Sequence, residues 1–169
     1  MTDVPSPGFV ILWIEDELRG IEAGVDLLKG LLREKVRKEI LVEEAPTVEE
    51  AEKRFTARRD SPPDLVLLDL MLPRNQQWLD AKPRRMDMNA GFFLWHRLRM
   101  QKEWGEKIAE VPILVVTARG NPEFRPAMLE DERLRWLGKP VGPSELADSI
   151  VDLLGAVAAK TATSEGQPP

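Results

Sequence analysis

A short apolar run, Leu65–Leu68, lies between a pair of prolines and an aspartate. Apolar side chains at every position are typical of a strand that is buried on both faces of a parallel sheet. Asp69 follows the run directly, at the carboxyl end of the strand, which is where open α/β sheets bind their ligands. A carboxylate there serves as a nucleophile, as a metal ligand or as an ordinary loop former. This stretch alone leaves all three interpretations open.

Four further apolar runs alternate with segments of helical periodicity, which predicts an α/β fold with a parallel sheet covered on both sides. The other strands are predicted at Phe9–Ile14, Ile40–Val42, Val111–Val116 and Leu134–Leu137. The helices are predicted from Leu18 to about Val36, from Val48 to about Arg59, from Ala90 to Glu103, within Glu123–Glu132, and from a cap at Ser144 to about Val157. The common arrangement of such a pattern is the flavodoxin-like (βα)5 domain with strand order 2-1-3-4-5. We adopt that order as the usual solution, because the sequence does not encode it directly.

One domain with short ends accounts for the length of 169 residues. We predict a flexible lead over residues 1–8 and a folded domain over residues 9–160. Residues 161–169 are predicted to be a disordered tail, because their composition is small and polar.

Residues 74–89 show neither helical nor strand periodicity and are predicted to be an inserted loop. Loops of this length are usually functional or mobile. Lys82, Arg84 and Arg85 make the loop locally basic in an acidic protein. The hypothesis is that the loop borders the functional pocket and shapes partner choice or water access. The alternative is a solvated, disordered loop.

Composition argues against several classes of function. The net charge of -5 and the pI near 5.1 provide no basic excess for phosphate contacts, so no direct nucleic-acid partner is expected. Without cysteine there is no disulfide, thiol nucleophile or zinc–thiolate site. The first residues lack the pattern of a signal peptide, and no apolar run approaches the ~18 residues of a membrane span. We therefore predict a soluble, cytoplasmic protein that does not contact a membrane.

In the adopted strand order, Glu15, Asp16 and Asp69 lie together at one edge of the sheet, and Thr117 and Lys139 end the next two strands. Three carboxylates in one place repel one another unless a cation compensates their charge. Mg²⁺ typically binds one or two carboxylates and a phosphate oxygen. The hydroxyl and the ammonium group can each contact another phosphoryl oxygen. Together these groups are the parts that phosphoryl transfer to a carboxylate requires.

With these residues, the chain resembles the receiver domains of response regulators in two-component signalling. The resemblance rests on four blocks that end predicted strands in the expected order, namely Leu12–Glu17, Pro63–Pro73, Val115–Arg119 and Lys139–Pro140. It extends from about Phe9 to about Val157.

The resemblance implies that Asp69 is the phosphoacceptor, which takes a phosphoryl group from a histidine on a partner kinase. It also implies a Mg²⁺ site formed by Glu15, Asp16, Asp69 and the backbone carbonyl of Met71. The glutamate at position 15 departs from the family pattern, in which an aspartate is more usual.

By the same resemblance, Thr117 is the switch hydroxyl and Lys139 is the active-site lysine. Trp136 occupies the aromatic switch position, where tyrosine or phenylalanine is common. A half-buried strand aromatic without a switching role is the alternative interpretation of this tryptophan. The family also implies a cis peptide bond before Pro140.

The function implied is a signalling switch that catalyses only its own phosphorylation and dephosphorylation and is not otherwise an enzyme. Its expected partners are a histidine kinase or phosphotransfer protein and a downstream protein target, which would bind the surface of the fourth helix, fifth strand and fifth helix. The resemblance also allows a homodimer through the last helices. No output domain follows in the sequence, so we interpret the chain as a stand-alone receiver or a fragment.

A pseudo-receiver and a hydrolase of the haloacid-dehalogenase type are the two other interpretations of these residues. A pseudo-receiver would use the same surface as a protein-interaction module without phosphorylation. A hydrolase of the haloacid-dehalogenase type needs an acid two residues after the nucleophile, where this chain has Met71. The glycine-rich phosphate loop of nucleotide-binding proteins does not occur in the sequence.

Overall fold

The computed structural model describes residues 8–17, 22–118, 123 and 125–165. Their strands form one parallel sheet in the order β2-β1-β3-β4-β5, which confirms the predicted topology. The strands are β1 (Phe9–Ile14), β2 (Ile40–Ala45), β3 (Leu65–Leu68), β4 (Ile113–Thr117) and β5 (Leu134–Gly138). The helices are α1 (Glu22–Val36), α2 (Val48–Ala57), α3 (Gln76–Asp80), α4 (Ala90–Arg99), α5 (Glu106–Ala109), α6 (Arg125–Leu129) and α7 (Pro143–Glu165).

The central strands are apolar on both faces because successive side chains of a strand point to opposite sides of the sheet. In β1, Leu12 and Ile14 pack into one cluster with α2 and α4, whereas Ile11 and Trp13 pack into a second cluster with α1 and α7. Each face is therefore closed by helices, and the polar residues that follow the strands are left at the carboxyl edge. None of the helices in the described part of the chain has both the length and the apolar character that a membrane span needs.

The ends of the chain differ in part from the prediction. Helix α7 continues to Glu165, so residues 161–165 are helical and the prediction of a disordered tail is wrong for them. The alanine-rich stretch 156–159 favours this continuation, since alanine has the highest helix propensity. The helix begins at Pro143, whose fixed φ suits a first turn, so Ser144 lies inside the helix instead of capping it. Most of the predicted lead, the end of the tail, and Leu18 lie outside the described residues.

Residues 74–89, the inserted segment, have more structure than their sequence indicates. Asn75 caps the single turn of α3, because its side chain accepts a hydrogen bond of 3.2 Å from the amide of Trp78. Leu72 and Asp87 exchange backbone hydrogen bonds of 3.0 and 3.3 Å, which join the two ends of the segment. The amide of Arg85 donates to the carbonyl of Trp78 at 3.2 Å. The segment is thus a closed, internally bonded loop, and the alternative of a disordered loop is not what the structure shows.

Candidate functional site

The sheet topology brings three acidic side chains together. Glu15 and Asp16 follow β1, and Asp69 follows β3, which pairs directly with β1. Their carboxylates each place one oxygen within 4.8 Å of the others. Glu15 and Asp69 are buried, with exposed fractions of 4 % and 6 %. The predicted acidic edge is therefore a compact pocket whose three carboxylates are largely shielded from water.

Among the residues that the structure describes, three donors hold Asp69. The Thr117 hydroxyl donates to its Oδ1 at 2.8 Å, and the backbone amide of Met71 donates to the same oxygen at 3.0 Å. The ammonium group of Lys139 donates to Oδ2 at 2.7 Å. These contacts fix the orientation of the carboxylate, because each oxygen has a partner from a different part of the chain.

Lys139 is shared between two carboxylates, since its ammonium group also donates to Glu15. Burial alone would lower the pKa of Lys139, but the hydrogen bonds that it donates to Asp69 and Glu15, together with their negative charges, outweigh burial and raise the pKa above its usual value. Burial raises the pKa of Glu15 to about 7, although the hydrogen bond from Lys139 acts in the opposite direction. Among the described residues, Lys139 is the only cation that contacts either carboxylate, and at Glu15 burial outweighs this contact. The peptide bond between Lys139 and Pro140 is cis, as the family resemblance implied.

A side chain of the inserted segment contacts the third carboxylate, that of Asp16. Arg84 donates to Asp16 Oδ2 at 2.7 Å. This contact confirms that the segment borders the pocket. The sequence marked the segment as basic but did not indicate which of its cations reaches the site.

Trp136 lies on β5, three residues before Lys139, and is half-buried. It packs against the core cluster on the α4 side of the sheet. The guanidinium carbon of Arg125 lies 5.1 Å from the centre of the tryptophan ring. The structure thus places Trp136 near the end of β5 as predicted, and its role as a switch stays a prediction.

Gly91, in the first turn of α4, is a site residue that the sequence analysis missed. A Cβ atom built at this position would lie 2.3 Å from the carbonyl oxygen of Asp69 and 2.6 Å from the Cα of Leu70. The Gly91 amide donates to the Leu70 carbonyl at 3.0 Å. Only glycine lets α4 approach the backbone that follows β3 this closely.

The donor set of the pocket suits a hard divalent cation. Glu15, Asp16 and Asp69 provide carboxylate oxygens only, and carboxylate oxygens are preferred ligands of Mg²⁺. No cysteine or histidine belongs to this cluster of described residues, which argues against a site for zinc or another softer metal. The residues therefore fit Mg²⁺.

Comparison with known proteins identifies the fold. No protein-family model matches the chain. Among solved structures, the chain is similar to a CheY-like response regulator receiver domain protein from Methanospirillum hungatei JF-1, with 22 % identity, a TM-score of 0.57, and coverage of 91 % of this chain and 99 % of that chain. It is also similar to the non-phosphorylated HemR receiver domain from Leptospira biflexa, with 26 % identity and a TM-score of 0.56. The match covers 86 % of this chain and 93 % of that chain.

A third similar structure is the receiver domain of a sensor histidine kinase from Pseudomonas aeruginosa, with 19 % identity and a TM-score of 0.58. The match covers 88 % of this chain and 99 % of that chain. That receiver domain has a magnesium ion coordinated in its active-site cleft. These similarities cover most of each chain and support a receiver-domain fold.

We predict that Gly91→Ala destabilises the protein by about 1–3 kcal/mol, because the added methyl group must displace the backbone of Asp69 and Leu70. Gly30→Ala is the matched control: it lies inside α1 with no atom near the added methyl group, and should stabilise by about 0.5–1 kcal/mol. Urea unfolding measures both changes in the free energy of unfolding. Equal effects of the two substitutions would contradict the close approach at Gly91.

We also predict a pH dependence that Glu15 causes in the absence of divalent cations. Its pKa is about 7 in the folded chain against a usual value of 4.5, so the folded chain binds the proton more tightly. The free energy of unfolding therefore falls as the pH rises from about 4.5 to about 7. Glu15→Gln removes this loss, so the variant gains stability relative to the unmodified protein between pH 5 and pH 8.

Chemical unfolding at these two pH values, in the presence of a chelator, measures the gain. Glu44→Gln, which changes another glutamate near the same edge of the sheet, is the control and should show no comparable gain. A stability difference between Glu15→Gln and the unmodified protein that does not change with pH would refute the assignment.

Proposed function

Because the chain folds as a response-regulator receiver domain, we propose that it is a phosphorylation-dependent signalling switch in a two-component system. A carboxylate oxygen of Asp69 forms a bond to the phosphorus of a phosphohistidine on a partner histidine kinase or phosphotransfer protein. The phosphorus–nitrogen bond breaks, and its electron pair remains on the imidazole, which takes up a proton. The product is an aspartyl phosphate.

One observation carries this proposal: Asp69 lies within hydrogen-bonding distance of both Thr117 and Lys139, beside two other carboxylates. Phosphoryl transfer depends mainly on the position of the groups and on stabilisation of charge. The ammonium group of Lys139 contacts Asp69 Oδ2. After transfer, it can donate a hydrogen bond to a phosphoryl oxygen attached to this carboxylate. The Thr117 hydroxyl can donate to a second oxygen of the same group.

Glu15, Asp16 and Asp69, together with the backbone carbonyl of Met71, would hold Mg²⁺. When bound, Mg²⁺ neutralises negative charge on the phosphoryl oxygens. In this chain, the amide of Met71 already binds Asp69 Oδ1 at 3.0 Å, so the loop after β3 lies against the carboxylate.

The signal would pass from Asp69 through Thr117 and Lys139 to the surface of α6, β5 and α7. Phosphorylation shifts the protein from one conformation to another only if the phosphoryl group makes different contacts in the two conformations. Movement of Thr117 towards the phosphoryl group would provide this difference, and Trp136 lies on the strand that ends at Lys139. A downstream protein that binds this surface would then distinguish the two states.

Incubation with Mg²⁺ and a small phosphodonor, followed by intact mass measurement, tests the proposal. We expect the protein to gain one phosphate and Asp69→Asn to gain none. Asp80→Asn, a change at an exposed aspartate of the inserted segment, should leave phosphorylation unchanged. Absence of phosphate on the unmodified protein would contradict the proposal and would favour a pseudo-receiver that binds partners without phosphorylation.

A further inference from the structure

Arg84, which belongs to the inserted segment, brings a permanent positive charge to the acidic pocket. Its guanidinium group contacts Asp16 Oδ2 at 2.7 Å, although the two residues are 68 positions apart in the sequence. The Asp16 side chain is only 5 % exposed, whereas that of Arg84 is 44 % exposed. The pair therefore joins an almost buried carboxylate of the pocket to a cation that can leave towards solvent.

The inserted segment holds Arg84 in this position. Two sets of backbone hydrogen bonds enclose Arg84 in the sequence. One set joins Leu72 to Asp87, and the other is the bond from Arg85 to Trp78. Arg74 pairs with Asp87 at 2.8 Å, which strengthens the same closure. The contact between Arg84 and Asp16 adds a link from the segment to the end of β1, so the segment is less restrained when this contact is lost.

The charges of the pocket show what this contact does. Among the described residues, Glu15, Asp16 and Asp69 carry three negative charges when ionised, and Lys139 and Arg84 carry two positive charges. A divalent cation added to this set leaves an excess of positive charge. Without Arg84, the same cation would make the set neutral. Arg84 and a divalent cation therefore compete for the same carboxylate.

We propose that Arg84 competes with Mg²⁺ for Asp16 and thereby sets the affinity of the pocket for the cation. This inference rests on the proposed Mg²⁺-dependent function. Two ligands that exclude each other at one site weaken each other reciprocally. Mg²⁺ binding therefore releases Arg84 from Asp16 and loosens the inserted segment, so the segment reports whether the pocket is filled.

Isothermal titration of the metal-free protein with Mg²⁺ tests the competition. Arg84→Gln removes the charge and should tighten binding by about two- to fivefold, the range of a partly exposed ion pair. Arg84→Lys keeps the positive charge, so its affinity for Mg²⁺ should stay close to that of the unmodified protein. Arg85→Gln removes a neighbouring exposed arginine and is the matched control, with unchanged affinity.

Hydrogen exchange provides a second measurement that does not depend on activity. Mg²⁺ should accelerate exchange of the Arg85 amide, which is bonded to Trp78, in the unmodified protein but not in Arg84→Gln. Equal or weaker Mg²⁺ binding by Arg84→Gln, while the unmodified protein binds Mg²⁺, would overturn this inference alone. Absence of Mg²⁺ binding by both proteins would overturn the Mg²⁺-dependent function and this inference with it.

Discussion

Glu15 and Asp69 share the ammonium group of Lys139, the one cation among the described residues that contacts either carboxylate, and this shared contact dominates the electrostatics at the carboxyl edge of the sheet. Burial removes water from both carboxylates, so each depends on the few donors that the fold provides. The pKa of Glu15, raised to about 7, shows that burial outweighs its share of the lysine. A change in the charge of Asp69 therefore alters how Lys139 divides its contacts between the two carboxylates.

The inserted segment makes this pocket different from one formed by the strand ends alone. It brings Arg84 to Asp16, and its beginning also contacts α2, because the amides of Val48 and Glu49 donate to the carbonyls of Pro73 and Arg74 at 3.0 Å. The segment thus links the carboxylates to a helix that covers the sheet.

Most of the fold and much of the site could be predicted from the sequence, because both follow from local patterns. Apolar runs mark the buried strands, and the polar residues that end them are Glu15, Asp16, Asp69, Thr117 and Lys139. The remaining features depend on contacts between distant residues. Nothing in the sequence distinguishes Arg84 from Arg85 as the partner of Asp16, and the contact of Gly91 with the backbone of Asp69 exists only in the folded chain. Helices of one turn, such as α3 and α5, are too short for a periodic pattern to reveal them.

A crystal structure of the protein with Mg²⁺ or Mn²⁺ tests the central claim most directly, because the claim is that the carboxylates converge to bind one cation. The account predicts a single ion with oxygens of Glu15, Asp16 and Asp69 in or next to its coordination sphere, at about 2.0–2.1 Å for direct Mg²⁺ ligands. It also predicts that Arg84 no longer contacts Asp16. An ion bound elsewhere, or a pocket in which Arg84 keeps its contact with Asp16 at saturating cation, would contradict it.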